Sequence, residues 1–263
     1  MPPGDLAVII PAKNEADRIA ATVRAAGKVI GADIILVVDD GSTDDTAALA
    51  ASAGARVVRH ARNRGKAAAM ETGAEAVRLI ETDGLPAAGA AEVGAGVPRH
   101  LLFLDADLAD SAAEAGPLAD PVRAGTADMS IAVFTARVRL GGFGVVTAAA
   151  GAGIERATGW RPAQPLNGQR CLTRAAFTAA LPLAAGWGAE TGMTIDVLRR
   201  GMRVTEVEVP LSHRATGTDW RSQLHRLRQL AGVCRALLVR EPAFARLCRR
   251  RSLRAGGAAN GRA

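Results

Sequence analysis

Tyrosine is missing from this sequence altogether, and phenylalanine and tryptophan bring the aromatic share to only 3%. Recognition of RNA or single strands relies on flat rings interleaved with basic residues, so this shortage argues against a nucleic-acid partner. Cysteine is equally scarce. Cys171, Cys234 and Cys248 are odd in number and scattered, which supports neither a disulfide framework nor a zinc site. No uninterrupted apolar run approaches the roughly 20 residues of a membrane span. The opening MPPGDLAVIIPAKNE has no basic n-region followed by a cleavage site, so a cytoplasmic protein is expected. The turn after the first apolar run, PAKNEAD, contains no glycine. That disfavours a dinucleotide-binding dehydrogenase and a nucleotidyltransferase, both of which place a glycine-rich phosphate loop there.

What is present is basic charge and enough apolar residue for one core. The formal net charge is +7 over 263 residues, and arginine far outnumbers lysine. The excess is concentrated late, in RCLTR, LRRGMR, WRSQLHRLRQ and RLCRRRSLR. Such a balance suits phosphorylated small molecules or an anionic lipid surface. The 49% hydrophobic content and the length suit one α/β domain with a modest appendage.

Along the chain, LAVII (6–10) reads as a buried strand stopped by Pro11, with Asn14 and Asp17 capping a helix from about Ala16 to Ala26. DIILVV (33–38) is a second strand. Ser42, Thr43 or Asp45 caps the helix TAALAASAG, which Gly54 ends. ARVVRH is a short third strand, and NRGKAAAMETGAEAVRLI a glycine turn opening a helix. DGLPAAGAAEVGAG between Thr82 and Pro98 reads as a flexible inserted loop. Next come HLLFLDADL, a helical stretch near 112–124 and the strand DMSIAVF. This alternation predicts an α/β fold with a mostly parallel sheet flanked by helices. GGFGVVTAAAGAGIERATG predicts a helix after a glycine turn, QPLNGQRCLTRAAFTAAL a loop, a short strand and a helix, the stretch from about Glu190 to Arg200 a further helix, and RVTEVEVPLSHR a strand ending at His213.

In such sheets ligands bind beyond the carboxyl ends of the strands. Lys13 to Glu15, Asp39-Asp40 and Asp105-Ala106-Asp107 all fall there. If the strand ending in Leu104 ran on, Asp105 and Asp107 would point to one side, about 7 Å apart, and repel by roughly 2 kcal/mol at an effective dielectric of about 20. A divalent cation between them removes that cost, and Mg2+ prefers oxygen ligands. A solvated acidic turn is the plainer alternative for an isolated DxD.

Taken together, VIIPAKNE, LVVDDGSTDDT, NRGKAAAMETG and FLDADL resemble, in order and spacing, the nucleotide-sugar glycosyltransferases of family 2, which have the GT-A (Rossmann-like) fold. The resemblance covers about the first 110 residues. The later stretch QPLNGQRCLTRAAFTAALPLAAGWGAETGMTIDVLRRG, followed by SHR, is similar to the glucosyl-3-phosphoglycerate synthases and their relatives. The resemblance implies a hexose donor such as UDP-glucose or a GDP-sugar, with Mg2+ or Mn2+ as cofactor. Pro11, Glu15, Asp39, Asp40, Lys66 and Asp105 then stand where the family holds the nucleotide. Asp105, Asp107 and His213 match metal ligands, and Glu190 matches an acidic residue close to the donor sugar, the candidate catalytic group. The metal-binding histidine resembles the retaining branch. An inverting transferase acting on a lipid-phosphate or cell-envelope acceptor is the alternative, and a non-catalytic nucleotide-sugar-binding homologue the third. Val145 stands where the phosphoglycerate synthases carry an acceptor-clamping arginine, Ala215 where they carry asparagine, and Ala109 where lipid-phosphate transferases often carry glutamine. The arginine loss removes a bidentate phosphate contact, which leaves the acceptor open.

The expected layout is a GT-A domain over 1–218, with a nucleotide half to about 110 and an acceptor half after it. An amphipathic helix over 219–245 and a basic, disordered tail over 246–263 follow. On that helix Trp220, Leu224, Leu227, Leu230 or Ala231, Cys234, and Leu237 or Leu238 share one face, and Arg221, Arg226, Arg228 and Arg235 the other. Its apolar stripe suits packing on the domain, and its basic face suits peripheral contact with an anionic membrane. A homodimer is also compatible with the sequence.

Overall fold

The computed structural model describes residues 4–82, 98–134, 144–211 and 220–240; the side chains of 144, 145, 187 and 220–229 are not described. The strands are β1 (Leu6–Ala12), β2 (Ala32–Asp39), β3 (Arg56–Arg59), β4 (His100–Phe103), β5 (Met129–Phe134), β6 (Arg170–Leu172) and β7 (Val204–Val209). They form one sheet in the order β3-β2-β1-β4-β6-β5-β7. Every pairing is parallel except those of β6, which runs antiparallel to both β4 and β5. The helices are α1 (Ile19–Ala26), α2 (Thr46–Ser52), α3 (Lys66–Thr82), α4 (Asp120–Arg123), α5 (Gly144–Thr158), α6 (Arg174–Ala179), α7 (Ala189–Arg199) and α8 (Trp220–Arg240).

Central strands buried on both faces explain why LAVII and HLLF are continuously apolar. Val8, Ile10, Leu102 and Leu104 face one core with Ile19 and Val23 of α1. Ile9, Leu36, Leu101 and Phe103 face the other with Met70 and Val77 of α3, Phe177 of α6 and Met193 of α7. The rings of Phe103 and Phe177 stack there, 5.4 Å between centroids. A third, smaller cluster joins Val146 and Ile154 of α5, Ile195 of α7, and Val233 and Leu237 of α8. No helix among the described residues is long and apolar enough to cross a membrane.

Several local expectations are corrected. Pro11 does not end β1, which continues to Ala12. The Ile9 carbonyl accepts from Leu104 and the Ala12 carbonyl from Asp40, so Pro11 shares the β4-facing parity of Ile9, and β4 has already ended at Phe103. Its missing N–H therefore breaks no ladder bond. Asn14 does not cap α1, which starts at Ile19 without a side-chain cap. It adopts a left-handed φ of 54° and stitches two loops: its N–H donates to Ser42 Oγ, and its Oδ1 accepts from the Thr43 N–H. Nor do Ser42, Thr43 or Asp45 cap α2; the Asp44 carboxylate accepts the Thr46 N–H instead. Asp105 to Asp107 form a turn beyond β4, so strand alternation does not govern them. The stretch at 112–124 is a 3-10 segment (Ala109–Leu118) followed by the short α4. On α8 it is Val233, with Ala236 and Leu237, that is buried, while Cys234 is only half-buried. The expected disordered tail, the Gly/Ala loop and His213 lie outside the described residues.

Candidate active site

The strand directions bring four connecting segments to one rim. β1, β2 and β4 deliver 13–18, 40–45 and 104–108 at their carboxyl ends. Because β6 is antiparallel, with Arg170 opposite Phe103, its preceding loop 164–169 arrives at the same edge. Sequence periodicity gave no sign of that reversal.

Asp40 organises the first part. Its carboxylate accepts the N–H of Arg64 and of Gly65, each at 2.7 Å, and meets His60 Nδ1 at 2.7 Å. His60 Nε2 lies 2.9 Å from Thr72 Oγ1, which fits a ring that donates to Asp40 and accepts from Thr72. The carboxylate thus sits at the start of α3, where the helix dipole and free N–H groups favour an anion. Burial works to raise its pKa, but the His60 bond and the two N–H donors outweigh that and hold it below the ordinary aspartate value. Gly41 allows the loops to close: a Cβ there would stand 2.7 Å from the Arg62 carbonyl carbon, and its φ is 69°. Asp39 is fully buried; its Oδ1 accepts the Ser42 N–H and its Oδ2 lies 3.0 Å from Arg59 Nε. Both aspartates therefore brace the rim from beneath, while Pro11 and Glu15 are half-buried at its edge.

Fixing the start of α3 fixes Lys66, its first residue. Lys66 Nζ lies 2.6 Å from Asp105 Oδ1 and 3.1 Å from Glu190 Oε1. Burial alone would lower the ammonium's pKa; the charge of Asp105, then that of Glu190, outweighs it and holds the pKa above the ordinary lysine value. Lys66 and Asp105 keep 28% and 26% of their side-chain surface open, whereas Glu190 keeps 5%. A ligand can therefore reach the first two directly.

Asp105 is gripped from a second side by Gln169, whose Nε2 donates to Oδ2 at 2.7 Å. Gly168 lets Lys66 pass: a Cβ there would stand 2.3 Å from Nζ and 3.1 Å from Asp105 Oδ1. α1 holds the Asp105–Asp107 turn, since the Thr22 hydroxyl donates to the Ala106 carbonyl (2.8 Å) and Arg18 to the Asp107 carbonyl (3.1 Å). Glu190 is positioned by Arg170, a fully buried guanidinium that donates to the carbonyls of Glu190, Asn167 and Pro165 and to Thr194 Oγ1. Burial pulls the Arg170 pKa down to about 10, which leaves it charged at neutral pH.

The structure thus brings Lys66 into contact with both Asp105 and Glu190 and ties Asp40 to the two residues that precede Lys66. Asp107 lies one turn position beyond. Among the described residues no cluster of three or more His, Cys, Asp or Glu side chains forms a metal cage. Two hard carboxylates at one rim fit a cation that takes its other ligands from a diphosphate and water. Of the two, Asp105 engages Lys66 and Gln169. Sequence reasoning missed His60, Gln169, Arg170, Arg18 and Thr22. The i, i+4 spacing of Arg18 and Thr22 was a signal; the other three carried none.

Residues 7–79 match the model of "Glycosyl transferase family 2". Glycosyltransferase AglJ of Haloferax volcanii is 30% identical over 221 residues, covering 82% of this chain and 66% of that protein. Glucosyl-3-phosphoglycerate synthase of Mycolicibacterium paratuberculosis is 29% identical over 214 residues, 74% of this chain and 60% of that protein. The chain thus spans about two thirds or less of these curated relatives. Glucosyl-3-phosphoglycerate synthase of Mycobacterium tuberculosis, solved with phosphoglyceric acid, matches with a TM-score of 0.65 at 25% identity, covering 90% of this chain and 80% of that one. The same synthase with Mn2+, UDP-glucose and phosphoglyceric acid matches with a TM-score of 0.63 at 24% identity, covering 89% and 80%. With the family segment seated in that GT-A sheet, the chain belongs to the family 2 glycosyltransferases.

Proposed function

We propose that the chain is a divalent-metal-dependent hexosyltransferase that uses a nucleotide-diphosphate sugar, UDP-glucose or a GDP-sugar, and retains the anomeric configuration. One observation carries this reading: Lys66 bridges Asp105 and Glu190 at the carboxyl ends of the strands. That places a fixed cation between a partly open carboxylate and a buried one. A diphosphate entering there meets Lys66 in exchange for Asp105, with Glu15 at the open edge of the rim as the candidate contact to the nucleoside and Asp40 bracing the loops beneath. Asp107, with Asp105 and His213 as the further candidate ligands, would hold Mg2+ or Mn2+. When bound, the metal stabilises negative charge on the leaving diphosphate. The bond between anomeric carbon and diphosphate oxygen breaks, the acceptor oxygen takes its place on that carbon, and the acceptor proton passes to the departing diphosphate.

Retention is supported by Glu190. Its carboxylate is buried and engaged by Lys66, which suits steering and charge compensation more than removal of a proton from an incoming acceptor. The acceptor is a hydroxyl compound, with a phosphorylated or lipid-linked one favoured by the basic second half. Phosphoglycerate is disfavoured, because Val145 replaces the clamping arginine.

A thermal-shift panel of UDP, GDP and their sugars with and without Mn2+ tests the donor half. A metal-dependent rise in Tm with one nucleotide is expected, and no rise with any of them overturns the reading. Asp107→Ala should remove the metal-dependent part of the shift while leaving the apo Tm within about 1 °C; an unchanged metal response removes Asp107 from the site. The anomeric configuration of the product, read by NMR, decides between retention and inversion.

A further inference from the structure

A groove of about 590 Å3 lies between the 181–185 loop, the C-terminal end of α7 and the last turns of α8. Glu190 and Arg200 lie at opposite ends of α7, about 15 Å apart at 1.5 Å per residue. The groove pairs two features that seldom share a freely solvated surface. Leu181 and Val239 line it while 40% and 74% exposed, and Leu238 beside them is 39% exposed. Four arginines, Arg199, Arg200, Arg235 and Arg240, line it as well.

The charges are not internally balanced. Arg240 pairs with Asp196 at 2.7 Å, and Arg199 donates to the Arg240 carbonyl. Arg200 and Arg235 are exposed and meet no carboxylate among the described residues. Beyond Arg240, which lines the groove, the sequence adds six arginines against one acidic residue, Glu241. A second copy of the chain is a poor occupant. A two-fold contact here would bring a patch of four arginines and one aspartate, net positive, against a copy of itself. Exposed aliphatic side chains beside Arg200 and Arg235 fit the interface of an anionic bilayer, with apolar tips at the acyl boundary and cations among the phosphates.

We propose that this groove docks the chain on an anionic lipid surface, Leu181, Leu238 and Val239 entering the headgroup boundary and Arg200 and Arg235 binding lipid phosphates. The docking is independent of the transfer reading and uses none of its residues. It would hold the donor rim within about 15 Å of the surface.

Flotation of the full chain with vesicles of phosphatidylcholine alone, and of phosphatidylcholine with phosphatidylglycerol, tests this. Binding is expected only to the anionic vesicles, and it should weaken at least tenfold as salt rises from about 0.1 to 0.5 M, where screening shortens to a few ångströms. The double variant Arg200→Glu/Arg235→Glu keeps the tail intact and should lose at least tenfold in partitioning, and Val239→Ser severalfold, both with unchanged Tm. Equal binding to neutral vesicles, no binding to either, or variants that bind like the wild type overturn the proposal; the last outcome assigns attachment to the tail. A concentration-dependent dimer in analytical ultracentrifugation that the double variant abolishes also overturns it, in favour of a second copy.

Discussion

Gly168 is where a single hydrogen decides the site. A methyl group in its place would collide with Lys66 Nζ, the far end of a flexible chain, and only press against the Asp105 oxygens. Lys66 can swing away at little cost to the fold, but it then leaves Asp105. Gly168→Ala should therefore lower donor affinity at least tenfold while changing Tm by no more than about 2 °C. Isothermal titration with the stabilising nucleotide reads the first and differential scanning the second. A large loss of Tm with retained affinity would show that Gly168 serves the backbone and not the Lys66–Asp105 contact. The adjacent Gln169 acts on the other Asp105 oxygen, so the two neighbours set the position of one carboxylate from opposite sides.

At the scale of elements, β6 and α7 are held together by Arg170. Three backbone carbonyls and one hydroxyl surround its guanidinium, and among the described residues no carboxylate touches it. Removing such a group leaves buried acceptors without donors, each worth roughly 1–3 kcal/mol, partly offset by no longer burying a charge. Arg170→Met should thus cost about 3 kcal/mol in urea unfolding, and Arg170→Lys, which keeps the charge but fewer donors, about half of that. Equal losses for the two would mean that charge, not the pattern of donors, is what the site needs. This element also marks the limit of what the sequence makes legible. β1, β2, β4 and α3 could be read because burial on both faces and helical periodicity leave a local imprint on residue type. The rim positions of Glu15, Asp40 and Asp105 followed from those strand ends, whereas Lys66 was singled out only by the family resemblance. The grip of Arg170 and Gln169 could not be read, because it depends on the antiparallel entry of a three-residue strand, too short to carry a period. Asn14 and Ser42 misled for a related reason: residues good at capping helices are equally good at joining two loops, and only tertiary contact chooses.

In the molecule as a whole, carboxylates held low by N–H donors occur in both halves. Asp40 ties β2 to the start of α3, and Asp128 accepts the Arg203 N–H, joining the start of β5 to that of β7. Burial opposes ionisation of Asp40, but His60 and the two loop N–H groups prevail; at Asp128 the Arg203 N–H is the leading cause. Both folded pKa values lie below the ordinary 3.8. A depressed carboxylate contributes stability above its unfolded pKa and loses it as pH falls through the lower folded value. Urea midpoints should therefore change little through these two groups between pH 7 and about pH 5, then fall as the pH drops below about 4. Asp40→Asn should cost about 1–3 kcal/mol at pH 7, because a neutral amide oxygen replaces a charged acceptor of two N–H bonds and a histidine. Its acid limb should be shallower than the wild type's, since one proton-linked group is gone. An acid limb parallel to the wild type's would mean that Asp40 is already protonated in the folded protein or equally stabilised in the unfolded chain. The tie between β2 and Lys66 would then rest on the backbone of residues 62–65 and not on charge.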